Sequence, residues 1–154
     1  MNVTCFAVGH SITLLTGVLS GIHVNPYLVD ALIGLSVVYK AFDNLDGFRT
    51  MFGFQPNTKA AVLLFGLIHG FGLATKLQDF HLSPQGLVPN MIAFNLGVEI
   101  GQIVALSLIL LVMVRWRNTA GFTRHAVLAN VILMTAGFVL MGYQLTGYAT
   151  QRVA

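Results

Sequence analysis

Two histidines, one glutamate and two aspartates fall inside stretches of this chain that are otherwise apolar. His10, followed by Ser11 and Thr13, interrupts a run that begins at Val3; Asp30, Lys40, Asp43 and Asn44 interrupt the next. His69 lies within Gly66-Leu67-Ile68-His69-Gly70-Phe71-Gly72, and Asn95, Glu99 and Gln102 follow at i, i+4 and i+7. That last spacing puts three polar side chains on one helical stripe, which must face protein or water. Three chemistries fit a histidine with a carboxylate here. Neutral imidazole with carboxylate and amide oxygens suits Ni²⁺, Co²⁺ or Zn²⁺, the same groups relay protons, and a buried His–Glu pair also serves as a structural tie.

The elements that carry these residues follow from composition. Of 154 residues 56% are hydrophobic and only 8% charged, against about 25% charged in a soluble domain. So few charges cannot cover the surface of a water-soluble globule of this size, so the solvent is a lipid bilayer. Apolar runs at about 3 to 22, 27 to 46, 58 to 77, 88 to 114 and 122 to 147 predict an all-α integral membrane protein, a compact bundle of about five transmembrane helices forming one domain over 1–154. The breaks between runs hold loop residues: Asn25-Pro26, Gln55-Pro56-Asn57, Ser83-Pro84 with Pro89, and Arg115-Trp116-Arg117-Asn118.

A charged side chain at mid-bilayer costs about 2.5 to 3.5 kcal/mol on insertion scales, so each ionisable residue within a run is a functional candidate. At about 1.5 Å per residue His10 is about 10 Å into its span, and His69 and Glu99 each about 16 Å into theirs. Two polar layers are therefore expected: His69 and Glu99 near the midplane, and His10, Lys40 and Asp43 nearer the cytoplasm. Gly17 with Gly21, Gly66 with Gly70, and Gly97 with Gly101 have the spacing that lets membrane helices pack closely.

Lys40, Arg49, Lys59, Arg115, Arg117 and Arg124 share one face of a five-span topology, leaving Lys76 and Arg152 on the other. The positive-inside rule then places the N-terminus in the cytoplasm and the C-terminus outside. The basic residues stand singly between apolar runs, so the net charge of +3 does not point to nucleic acid. No removable signal peptide is expected, since no basic region precedes Val3. There is no His-Glu-x-x-His, no Gly-x-Ser-x-Gly, no Cys-x-x-Cys and no phosphate-binding glycine loop, so an enzyme is not expected. Cys5, Met134 and Met141 are read as packing residues, His23 and His81 as interfacial or loop residues, and His125 as lying at the cytoplasmic edge.

Five segments also carry a resemblance. Phe6-Ala7-Val8-Gly9-His10-Ser11-Ile12-Thr13-Leu14, Val29-Asp30-Ala31-Leu32-Ile33-Gly34-Leu35-Ser36, Ala41-Phe42-Asp43-Asn44, His69-Gly70-Phe71-Gly72-Leu73-Ala74 and Phe94-Asn95-Leu96-Gly97-Val98-Glu99-Ile100-Gly101-Gln102 together resemble the HupE/UreJ family of bacterial membrane proteins. The resemblance implies a hydrogenase/urease accessory type of protein, a nickel or cobalt permease of the inner membrane. It also implies a polar signature at His10, Asp30, Asp43, His69, Asn95 and Glu99, with Asp at 30 and 43 where the family more often has Glu. The family's usual first helix, bearing a His-rich signature that ends in Asp-His, is expected to be missing before Val3.

The expected function is thus a permease or permease component for a divalent cation, nickel or cobalt, which is cargo rather than a permanent cofactor. In that reading the ion sheds water onto His69 and Glu99, with His10 and Asp43 as a second station. The alternative is a non-transporting structural or accessory subunit whose buried polar residues stabilise the bundle or bind a partner. Expected partners are the bilayer, the metal ion, and a homo-oligomer or larger membrane complex.

Overall fold

A computed structural model describes residues 2–78 and 86–153. The expected loop residues His81, Ser83 and Pro84 lie outside them. The described residues form six helices and no strand: α1 (Asn2–Leu19), α2 (Pro26–Asn44), α3 (Gly47–Phe52), α4 (Thr58–Gln78), α5 (Leu87–Arg117) and α6 (Phe122–Val153). Five of them coincide with the five apolar runs, and α3 is a short extra helix within an expected connection. The segments Thr58–Gln78, Val88–Arg117 and Phe122–Gln151 are long and apolar enough to cross a membrane. The apolar part of α1, Thr4–Leu19, is shorter, and α2 carries Asp30, Lys40 and Asp43 within its 19 residues.

Helix ends follow local chemistry. Pro26 opens α2, where a missing N–H costs nothing, and Asn25 Oδ1 accepts from Tyr27 N at 3.0 Å. Asn57 Oδ1 does the same for Lys59 N at 3.0 Å and Ala60 N at 3.2 Å, starting α4. Past the end of α1, Gly21 takes φ +63° while Ile22 N donates to Gly17 O at 3.1 Å. No neighbour lies within 4 Å of a Cβ built on Gly21, so this glycine stops a helix rather than packing one.

The chain divides into two units, Met1–His81 with Asn130–Ala154, and Leu82–Ala129. In the first, α1 and α4 run parallel in register along two rows of small residues. A Cβ on Gly9 would come within 2.7 Å of Leu63 O, one on Gly66 would strike Phe6 O, one on Gly70 would strike Thr13 Oγ1 and His10 O, and one on Gly17 would come within 2.8 Å of Ala74 Cβ. Gly9, Thr13 and Gly17 thus face Gly66, Gly70 and Ala74, each row stepping by four residues, so backbone meets backbone. The Thr13 hydroxyl lies 2.8 Å from Leu67 O across the seam.

α2 runs antiparallel to both α4 and the α6 segment of this unit. Val29 packs on Gly72 and Tyr39 on Phe65. On its other side Gly34 meets Gly137 O and Met141 N, each 3.0 Å from its Cβ position. After α2, Asp46 adopts the left-handed conformation at φ 56°, and the Phe42 ring occupies the space a Gly47 side chain would need. Phe48 then meets Tyr39 at a tilt and Phe42 edge-on, closing α3 against the end of α2.

The second unit consists of α5 and the first turns of α6, joined by a short connection. Asn95, Val98, Glu99, Gln102 and Leu106 are half-buried while Leu96, Ile100, Ile103, Val104 and Leu108 are exposed. The polar stripe is therefore separate from the exposed apolar positions, whose natural solvent is lipid. Within this unit nothing packs on Gly97 or Gly101.

Candidate functional site

The sequence on α4 puts His69 one residue before Gly70, where the α1 backbone lies against α4. His69 Nδ1 lies 2.8 Å from the carbonyl oxygen of Phe65, one turn earlier. A carbonyl only accepts, so Nδ1 is the donor in this contact, and in the neutral tautomer that matches it Nε2 holds the lone pair. The Phe6 ring fixes the imidazole edge-on, 5.2 Å between centroids, and stacks on His10 at 6.0 Å with an 18° tilt.

His69 lines a cleft of about 280 Å³ in the first unit, together with Phe6, Ser36, Lys40, Asn44 and Asn130 among others. Asn44 Nδ2 donates to Asn130 Oδ1 at 3.0 Å, tying α2 to α6 along the cleft wall. The Ser36 hydroxyl is spent on Ile33 O at 2.7 Å. Lys40 Nζ lies 2.6 Å from Asp43 Oδ2, and Gln55 Nε2 donates to Asp43 Oδ1 at 2.8 Å. The Asp43 side chain is 6% exposed and that of Lys40 45%, so the carboxylate is buried and its charge is balanced by a lysine that reaches outward.

His10 is 6% exposed and Asp43 7%; both face the protein interior. The expected two-layer arrangement takes a different form around His10. Counting depth from the start of each run put His10 nearer the cytoplasm than His69, but the parallel register of α1 on α4 brings the His10 carbonyl against Gly70. Phe6 therefore touches both imidazoles, placing His10 at the level of His69. Helix register, set by the glycines, decides the level, and distance from a run's first residue does not.

Asp30 belongs to the other end of the unit. Lys76 Nζ lies 3.0 Å from both its carboxylate oxygens, and Gln144 Nε2 lies 3.5 Å from Oδ2. One carboxylate thus joins α2, α4 and α6. Asn95 and Glu99 lie in the second unit, on the half-buried stripe of α5. Among the described residues no three His, Cys, Asp or Glu side chains gather into a metal-binding group.

Reasoning from sequence missed Asn130 and Gln144. Both are polar residues in the last apolar run, so the test that picked out His69 also applies to them. Phe6 and Phe65 gave no signal, because an aromatic residue in an apolar run is ordinary. His23, with Nδ1 3.1 Å from Gly21 O, lies exposed between α1 and α2, and His125 stacks on Trp116 at 6.1 Å.

Long apolar helices with polar side chains gathered on their covered faces define a multi-helix membrane protein. The chain belongs to the HupE/UreJ family: the family model described as HupE / UreJ protein matches residues 1–152. Membership suggests a nickel- or cobalt-related accessory or permease role. No curated protein and no solved structure matches the chain.

Proposed function

We propose that this protein is a multi-pass permease component of the bacterial inner membrane for a divalent transition-metal ion, nickel or cobalt, built as one bundle of five spans. The observation that carries the reading is the His69 tautomer. With Nδ1–H committed to Phe65 O at 2.8 Å, a neutral His69 has no second N–H to give a carboxylate, whereas its Nε2 lone pair suits a metal. A structural tie from His69 to a carboxyl group would instead require the charged imidazolium or a protonated carboxyl donating to Nε2.

In this reading His69 supplies a nitrogen ligand in the first unit, with His10 beside Phe6, and the Glu99 carboxylate and Asn95 amide oxygen on α5 are proposed as further ligands of the ion. Few protein ligands suit a cargo ion, because a conducted ion must bind weakly enough to leave and keeps water in its shell. The basic residues Arg49, Lys59, Arg115, Arg117 and Arg124 support a cytoplasmic N-terminus and an external C-terminus.

For Asp30 and Asp43 the geometry favours the second reading. Each carboxylate holds a lysine and an amide, which suits a tie between elements better than an open ligand position.

Radiolabelled nickel flux into vesicles containing the full chain tests the proposal. Wild-type protein should carry the ion and a His69→Ala, Glu99→Ala double variant should not. Equal flux in both would refute the site, and His69→Gln with unchanged flux would favour the accessory role.

A further inference from the structure

α5 is 31 residues long, or about 46 Å at 1.5 Å per residue, against a hydrocarbon core of about 30 Å. Its far end therefore reaches head-group depth. There Leu111, Val112, Arg115, Trp116 and Thr119 line a cleft of about 610 Å³. Leu111 stands one turn before Arg115 and Val112 one turn before Trp116, so the cleft is apolar toward the membrane centre and cationic toward its edge. Leu111 and Val112 are 67% and 65% exposed.

Charge in this region has one sign. Residues 100–129 include Arg115, Arg117 and Arg124 but no Asp or Glu. Trp116 is held by Phe122, edge-on at 5.5 Å, and by His125, stacked at 6.1 Å, which fixes its indole at the α5–α6 junction. The Thr119 hydroxyl is spent on Trp116 O at 2.7 Å, leaving the Arg115 guanidinium as the cleft's cationic donor. α6 begins immediately beyond with no acidic residue in its first turn, so its N-terminal amides also favour an anion.

We propose that this cleft binds an anionic phospholipid: the head-group phosphate on Arg115, one acyl chain along Leu111 and Val112, and the indole of Trp116 at the boundary between them. Guanidinium matches phosphate with two parallel hydrogen bonds, and basic pockets on membrane proteins take such head groups.

Trp116 is the chain's one tryptophan, so it reports on this cleft alone. The full chain is reconstituted in phosphatidylcholine vesicles containing brominated phosphatidylglycerol or brominated phosphatidylcholine at equal mole fraction, and tryptophan quenching is read. The anionic lipid should quench more, consistent with about five-fold local enrichment for each arginine engaged. Arg115→Gln should remove most of the difference, and Arg49→Gln, which deletes the same charge from α3, should leave it. Equal quenching by both lipids in the wild type overturns the proposal. So does loss of the difference on adding inorganic phosphate, which would make this a soluble-anion site, or an equal effect of both substitutions, which would reduce it to net charge.

Discussion

His69 Nδ1 and the Phe65 carbonyl oxygen are 2.8 Å apart on consecutive turns of α4. This contact decides which ring nitrogen is available for a ligand. In ¹⁵N spectra of the protein before metal is added, His69 should appear as the Nδ1–H tautomer, and Ni²⁺ or diamagnetic Zn²⁺ should perturb Nε2. His69→Ala should weaken binding at least about ten-fold. The Nε2–H tautomer in the metal-free protein would remove the argument for a ligand role.

Glu99 is the proposed carboxylate. Glu99→Gln keeps size and hydrogen bonding but loses the charge, so nickel binding measured by equilibrium dialysis should fall at least about ten-fold while helix content by circular dichroism stays the same. Unchanged affinity would exclude Glu99 from the site.

The α1–α4 seam leaves no room for side chains at its glycines. Gly70→Ala must displace Thr13 and the His10 backbone, at a cost of about 1 to 3 kcal/mol. Thr13→Val, which loses the 2.8 Å contact to Leu67 O, should cost about 0.6 kcal/mol. Gly142→Ala, at a position with nothing within 4 Å, should be neutral or stabilise by up to about 1 kcal/mol. Reversible unfolding in mixed micelles provides the comparison, and a Gly70→Ala variant as stable as wild type would mean the helices do not pack this closely.

The Lys40–Asp43 pair should respond unequally to substitution. Lys40→Met strands a carboxylate whose side chain is 6% exposed, with Gln55 Nε2 as its other hydrogen-bond donor, and should cost on the order of 3 kcal/mol. Asp43→Asn strands a lysine that can reach water, and should cost at most about 1 kcal/mol. Adding Asp43→Asn to Lys40→Met should recover most of the loss in the same unfolding assay. Equal single-variant costs would contradict the buried placement of Asp43.

Orientation is testable by cysteine accessibility in intact cells and inverted vesicles. Single cysteines replacing Arg49 and Arg117 should both react from the cytoplasmic side, and reaction of residues 49 to 59 from outside would reverse the topology.

The apolar runs determined the five long helices almost to their ends, because hydropathy and Asn-Pro or Pro-Asn breaks are local properties. The same local signals identified His10, Asp30, Asp43, His69 and Glu99 as residues needing a partner, since each stands out against its own apolar neighbours. Pairing is another matter. Asp43 found Lys40 three residues away, a contact visible along one helix, but Asp30 found Lys76 and Gln144 on two other helices, and Asn44 found Asn130. Those choices depend on register. The tertiary structure set that register through backbone contacts at Gly9, Gly66, Gly70, Gly34 and Gly137, where removing a side chain allows two helices to approach and fixes how far one slides along the other. A count of residues from the start of each run carries no information about that slide, so only the packed helices could place His10 level with His69.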